Sequence, residues 1–191
     1  MNIGIVVEGE RDGAAYSELI RKIRNDVDTI LSEACGNDVR LMKQFVGWLK
    51  HFEWHAEVSV DKAFVIRDSD CSDPLIWETK MGEILAQSRF VPSFPVHFYA
   101  TKCEIETWLL ADENAINQVA RNRGKQGSVS EVRILLEAHR NAKELLQKVL
   151  SKVRLPADPK VYQEIASAAS IERIEARCPY FRQFADRVRA C

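Results

Sequence analysis

Short apolar runs alternate with helix-period segments through the first hundred residues. Ile3, Ile5, Val6 and Val7 form a β-branched run that stops at Glu8-Gly9, predicting a strand over 3–7 buried on both faces. From Asp12, a candidate N-cap, the residues Tyr16, Leu19, Ile20, Ile23, Val27, Ile30 and Leu31 recur at helical spacing. They predict one helix closed by Gly36-Asn37. Residues 39–46 read as a strand and 47–58 as a helix carrying Trp48, Leu49, Phe52 and His55. A short apolar run at 63–66 ends in the acidic loop 67–74. A helix over 75–88 and a strand over 94–100 complete the alternation, which predicts βαβ units around a mainly parallel sheet of about four strands.

Beyond Cys103 the pattern becomes helical, over 104–111, 113–122, 129–151, 159–169 and 180–189, with breaks at Gly124, Gly127, Pro156 and Pro179. The expected organisation is an α/β core over 1–112 and a helical extension over 113–191 packed on it. No repeat or low-complexity tract interrupts this.

Composition excludes several classes. At 46% hydrophobic and 29% charged, the 191 residues suit one globular domain. No apolar run approaches the roughly 20 residues that span a bilayer. The N-terminus lacks the basic and apolar regions of a signal peptide, so a cytoplasmic, non-membrane chain is expected. Cys35, Cys71, Cys103, Cys178 and Cys191 form no CxxC pair and no zinc-ligand spacing, and reduced thiols are the expectation. The net charge of −1 conceals a gradient: residues 1–100 carry −5 and residues 101–191 carry +4. A basic half could meet phosphates, although solvated helical faces commonly carry such an imbalance.

The candidate chemistry is carboxylate. Open parallel sheets bind ligands beyond the carboxyl ends of their strands. There the sequence places Glu8, then Asp68 and Asp70, then Glu104 and Glu106. Carboxylates converging from separate strands repel one another unless a cation neutralises them, and an all-oxygen set favours Mg²⁺ or Mn²⁺ over zinc. Gly9 permits a tight bend after Glu8, and Asp12 could face Glu8 across the start of the first helix.

Ordinary structural roles compete for some of these residues. Asp12 reads as an N-cap as readily as a ligand, and Asp73 before Pro74 reads as a turn residue. Glu104 and Glu106 suit the start of a helix without any chemistry, and at spacing i, i+2 only one of them is expected to face the site. His51, His55, His97 and His139 read as structural, and Trp48, Trp54, Trp77 and Trp108 as packing residues. There is no P-loop, dinucleotide fingerprint or nucleophile elbow.

With these residues in view, the chain resembles the toprim domain of topoisomerases, primases and overcoming-lysogenization-defect nucleases. A strand ends in Glu-Gly with an aspartate four residues past the glutamate (Glu8-Gly9-Glu10-Arg11-Asp12), and a later strand ends in Asp68-Ser69-Asp70. The stretch Glu104-Ile105-Glu106-Thr107-Trp108-Leu109-Leu110-Ala111-Asp112 and the ending Arg177-Cys178-Pro179-Tyr180-Phe181-Arg182 look like a small stand-alone toprim-like family. Its members often sit beside ABC-type ATPases in bacterial anti-phage loci. The resemblance implies a Rossmann-like fold and a site in which Glu8 is acid/base or first metal ligand. Asp68 and Asp70 would ligate Mg²⁺ or Mn²⁺, Asp12 would position the first ion, and Glu104 or Glu106 would supply a further acid. Two-metal toprim nucleases also use a downstream lysine; Lys102 is the nearest candidate, with Lys125 and Lys160 behind it.

The leading expectation is therefore metal-dependent hydrolysis of a nucleic-acid phosphodiester, DNA ahead of RNA. Arg121, Arg123 and Lys125, in a glycine-containing loop, are the candidate phosphate contacts. An ABC-type ATPase partner and self-association are compatible with it. Two alternatives stay open: a haloacid-dehalogenase-like phosphatase with Asp68 as nucleophile and Asp70 as acid/base, and a non-catalytic subunit of an ATPase complex.

Overall fold

In the computed structural model, which describes residues 1–190, the chain forms a parallel sheet covered by helices on both faces. The strands are β1 (Asn2–Val7), β2 (Thr29–Ala34), β3 (Lys62–Asp68) and β4 (Val96–Thr101). Among the described residues they make a four-stranded sheet in the order β2-β1-β3-β4. Every neighbouring pair is parallel. The connecting helices are α1 (Glu10–Ile23), α2 (Asp38–Glu53) and α3 (Pro74–Gln87). After β4 come α4 (Glu106–Leu109), α5 (Glu113–Asn122), a 3₁₀ turn (Leu136–Ala138), α6 (Ala142–Lys152), α7 (Pro159–Ala168), α8 (Ile171–Arg177) and α9 (Pro179–Arg189). The expected fold class is the observed one: α/β, parallel, with a helical C-terminal part.

Strand alternation sorts the core into two layers. Ile3, Ile5 and Val7 of β1, Phe64 and Ile66 of β3, and Tyr99 of β4 face α1 and the C-terminal helices. Val6, Ala63 and Val65 face the opposite layer, with Leu41, Phe45, Leu49 and Phe52 of α2 and Met81 of α3. The first layer runs unbroken from Ile3 to Val188, so residues 113–190 share the core of residues 1–112. At its centre Trp108 is fully buried against Tyr16, Phe181 and Phe184. Helix starts are written plainly: Asn37, Asp73, Asp112, Asp158 and Ser170 each accept a backbone N–H of the first turn, and Pro74, Pro159 and Pro179 open α3, α7 and α9.

Three stretches differ from expectation. The first helix ends at Ile23, and Thr29–Ala34 is an edge strand whose Ile30 and Leu31 turn to opposite faces of the sheet. Val27, Ile30 and Leu31 fit helical spacing only by coincidence; the chain breaks at Arg24, which takes an extended conformation and pairs in bidentate fashion with Asp26. Gly36-Asn37 accordingly closes a strand rather than a helix. Residues 39–46 are helix, not strand, because Leu41, Phe45, Leu49 and Phe52 form one stripe that continues through Gly47. Within 129–151 only the 3₁₀ turn and α6 are helical. Tertiary hydrogen bonds hold the rest: Asn117 brackets the backbone of Val129, Arg177 donates to Val132 O, and Glu137 accepts from Trp108, Tyr180 and Phe181. Propensity yields to such anchors.

The cysteines also depart from expectation. Cys71 and Cys103 are joined by a disulfide, because the turns after β3 and β4 lie side by side. Cys35 and Cys178 are buried free thiols. Cys191 lies outside the described residues. No helix among the described residues is long and apolar enough to cross a membrane.

Candidate metal centre

The connections leaving β1 and β3 run to opposite sides, since β2 lies beyond β1 and β4 beyond β3. The sheet's switch point is therefore the gap between β1 and β3, where parallel α/β sheets open a crevice at their carboxyl ends. Glu8 directly follows β1 and Asp68 ends β3, so the two flank that gap. They are also tied together: Glu8 Oε1 accepts the Asp68 N–H at 3.0 Å.

A cleft of about 340 Å³ opens here, lined by Glu8, Asp12, Asp38, Asp68, Asp70, Glu106 and Lys143 among others. Asp12 sits in the first turn of α1, where its carboxylate accepts the Gly9 N–H at 2.9 Å. Gly9, not Asp12, is the N-cap. Asp70 is held at φ 48° in the turn after β3, with its side chain 75% exposed. Glu106 is buried and accepts the Tyr162 hydroxyl at 3.0 Å. Glu104 takes a different direction: its Oε2 accepts the Lys143 N–H at 2.8 Å, at the start of α6. Of the two glutamates spaced i, i+2, Glu106 lines the cleft. Asp73 caps α3, as a turn residue would.

The acids press on one another. Burial, then the Asp68 N–H and Arg67 opposing it, leaves the Glu8 carboxyl pushed up to about 7, with Asp12 and Asp38 adding repulsion. Asp68 is driven well above the usual carboxylate range by burial and then by Asp12, Glu106, Glu8 and Glu104. Asp12, Glu104 and Glu106 are raised as well, burial first in each case. A pocket that holds protons this firmly is short of positive charge.

Two cations meet that shortage in part, and neither stood out in the sequence. Arg67 is buried under the cleft, with Nε 3.8 Å from Glu8 and Nη2 4.0 Å from both Asp38 and Asp70. Its guanidinium lies 3.6 Å from the centre of the Trp77 ring. Lys143 lines the cleft from α6, and its charge draws down Asp12, Glu104 and Glu106. Only an arginine following an apolar strand run could have flagged Arg67. Lys143 and Asp38 carry no local signal, because the cleft gathers them from distant segments.

The other expected residues fall elsewhere. Lys102 does not line the cleft; its Nζ donates to Cys71 O and Ser72 O at 3.2 and 2.7 Å. Arg123 forms a bidentate pair with Glu164 on α7, while Arg121 and Lys125 are exposed around the end of α5. His97 stacks on Phe64 and His55 accepts backbone N–H groups, both structural roles. Trp108 is core, but Trp54 is 72% exposed.

No protein-family model, curated protein or solved structure matches the chain. The site must be judged on its own chemistry. Its donors are hard carboxylate oxygens, with no thiol or imidazole on the cleft wall, and this set suits a divalent cation of the Mg²⁺ or Mn²⁺ kind. Among the described residues no three or more His, Cys, Asp or Glu side chains stand close enough together to hold a metal ion as they are placed. The fit lies in donor type and convergence on one cleft.

Proposed function

We propose that this chain is a metal-dependent phosphodiester hydrolase of toprim type acting on nucleic acid, DNA in the first instance. The observation that carries the reading is the convergence of Glu8, Asp12, Asp68, Asp70 and Glu106 on the sheet's switch point, where burial first and neighbouring acids second raise the carboxyls of Glu8, Asp12, Asp68 and Glu106. Glu8, Asp68 and Asp70 would hold the cation, with Asp12 and Glu106 behind them. When bound, a divalent cation supplies Lewis-acid activation of water and stabilises charge on the phosphoryl oxygens. Were Glu8 instead left off the cation, its carboxyl, pushed up to about 7, would suit accepting and returning a proton near neutrality. Lys143 lines the cleft, and Arg11 lines an adjoining pocket that shares Asp12, Glu106 and Lys143 with it; the two would meet phosphate oxygens, the task that the resemblance suggested for Lys102.

The phosphatase alternative requires Asp68 to be an ionised nucleophile. Burial, and after it the neighbouring acids, raise its carboxyl well above the usual carboxylate range, which disfavours that ionised nucleophile and favours a shared cation site. A cytoplasmic setting, a role in anti-phage defence and an ABC-type ATPase partner belong to the proposal through the resemblance.

The test is cleavage of supercoiled plasmid, single-stranded DNA and RNA by the purified chain in Mn²⁺ or Mg²⁺, alone and with any copurifying ATPase. Wild-type protein should cut, and Glu8→Gln and Asp68→Asn should reduce cutting at least a hundredfold while leaving the circular dichroism spectrum unchanged. Cutting by Glu8→Gln at the wild-type rate would refute the mechanism.

A further inference from the structure

The acid cleft is bordered by two turns that are fastened to each other. Asp70 and Cys71 after β3, and Cys103 after β4, take φ values of 48°, 62° and 63°, a left-handed region that residues other than glycine seldom occupy. The Asp70 N–H donates to Cys103 O at 3.2 Å, and the Cys103 N–H donates to Ser69 Oγ at 3.1 Å. Lys102 reaches across to Cys71 O and Ser72 O. The Cys71–Cys103 disulfide, with Cα atoms 3.8 Å apart, completes the junction.

Its place in the chain is what gives it consequence. Cys71 directly follows Asp70, and Cys103 directly precedes Glu104. The bond thus couples the turn carrying Asp68 and Asp70 to the segment carrying Glu104 and Glu106. The pair is also asymmetric in access: Cys103 is fully buried, while Cys71 is only partly buried. Cys35 and Cys178 are buried and unpaired, so among the described residues this junction alone can open and close by thiol exchange. In reducing compartments such bonds are uncommon, and those that occur are usually transient catalytic or sensing bonds.

We propose that Cys71 and Cys103 form a reversible thiol–disulfide clasp that controls the cation affinity of the cleft. This rests on reading the cleft as a cation site. Closed, the bond holds the two acid-bearing segments at one spacing; open, it frees the exposed turn that carries Asp70. Closing removes two protons and two electrons from the thiols. A low-molecular-weight disulfide of the glutathione class accepts them, passing through a mixed disulfide at Cys71 and leaving as two thiols. Opening is the reverse: one small thiol attacks the Cys71 sulfur, releasing Cys103, and a second displaces the first as a small disulfide.

The full chain, equilibrated in glutathione buffers from reducing to oxidising, can be alkylated and mapped by mass spectrometry while Mn²⁺ affinity is read by calorimetry and by loss of the free-ion paramagnetic resonance signal. A Cys71–Cys103 linked peptide that forms and disappears reversibly is expected, with Mn²⁺ bound at least fivefold more weakly by reduced than by oxidised protein. Cys71→Ser and Cys103→Ser should match reduced wild type and ignore the buffer. Alkylation of both cysteines under oxidising conditions overturns the clasp. A linked peptide with equal Mn²⁺ affinity in both states overturns its control of the cleft but leaves the cation reading intact. Absence of Mn²⁺ binding in both states overturns the cation reading, and control of the cleft falls with it.

Discussion

Replacing Glu8 by Gln should stabilise this fold in the absence of metal at alkaline pH, and the advantage should be cancelled when a divalent cation is added at about a hundred times its Kd. The Glu8 side chain is 19% exposed, and its carboxyl is pushed up from 4.5 to about 7, chiefly by burial. Below pH 4.5 the group is protonated in both the folded and the unfolded chain, and ionisation costs nothing. Between pH 4.5 and 7 the unfolded chain gives up its proton while the folded chain keeps it, so stability falls as pH rises through that window. At about 1.4 kcal/mol for each tenfold change in proton affinity, the ionised carboxylate costs the fold about 3 kcal/mol at pH 8. Gln keeps an oxygen for the Asp68 N–H and carries no charge, so Glu8→Gln should gain about 2–3 kcal/mol at pH 8 in chelator. For a chain of this length that is roughly 4–12 °C in Tm, and the gain should shrink towards zero near pH 5. With Mg²⁺ or Mn²⁺ at a hundred times its Kd, wild type recovers about 2.7 kcal/mol that the variant cannot. Urea titrations at pH 5 and 8, with and without cation, read all four corners. A Glu8→Gln protein less stable than wild type at pH 8 in chelator would refute the argument, because it would make the charge a structural asset in its own right.

The other perturbations probe the surroundings of the same cleft. Arg67→Met removes the buried cation shared by Glu8, Asp38 and Asp70 and should cost about 3 kcal/mol at pH 8, less at pH 5 where Glu8 carries its proton; equal losses at both pH values in urea unfolding would contradict it. Trp108→Ala empties the centre of the larger core layer and removes a donor from Glu137, so chemical denaturation should register a loss of about 3–5 kcal/mol, and a loss under 1 would show that this layer collapses freely. Gly4→Ala places a Cβ 2.6 Å from the Phe52 ring and should cost about 1–3 kcal/mol. In a double-mutant cycle Phe52→Leu should relieve most of that cost, and strict additivity would place the strain elsewhere.

What the sequence disclosed follows from the range over which each signal acts. The runs at β1 and β3 were legible because strands buried on both faces need unbroken apolar residues, and Pro159 announced a helix start through its own geometry, whereas Pro74 read as the end of a turn although it opens α3. The edge strand β2 was not, because Ile30 and Leu31 satisfy helical and extended spacing alike and only pairing with β1 decides between them. The cleft shows the same division. Glu8, Asp68, Asp70 and Glu106 were readable as acids at strand ends, since a parallel sheet places all those ends on one rim. Lys143, Asp38 and the Cys71–Cys103 bond were not readable, because each depends on which turn lies beside which. The lysine expected from proximity in sequence, Lys102, is instead consumed in holding two turns together.

Arg67 shows why so many buried carboxyls can coexist with a stable fold. A guanidinium stacked on Trp77 is fixed beneath the cleft at 3.8–4.0 Å from three acids, close enough to soften their repulsion and too far to neutralise any one of them with a full hydrogen bond. Burial therefore still leaves Glu8, Asp12 and Asp68 with raised proton affinities, Glu8 in spite of Arg67. A fold selected only for stability would have closed those pairs or replaced the acids with apolar residues. Retaining them half-compensated, at the one crevice the strand order creates, is the arrangement expected of a site that completes its charge balance by binding something positive.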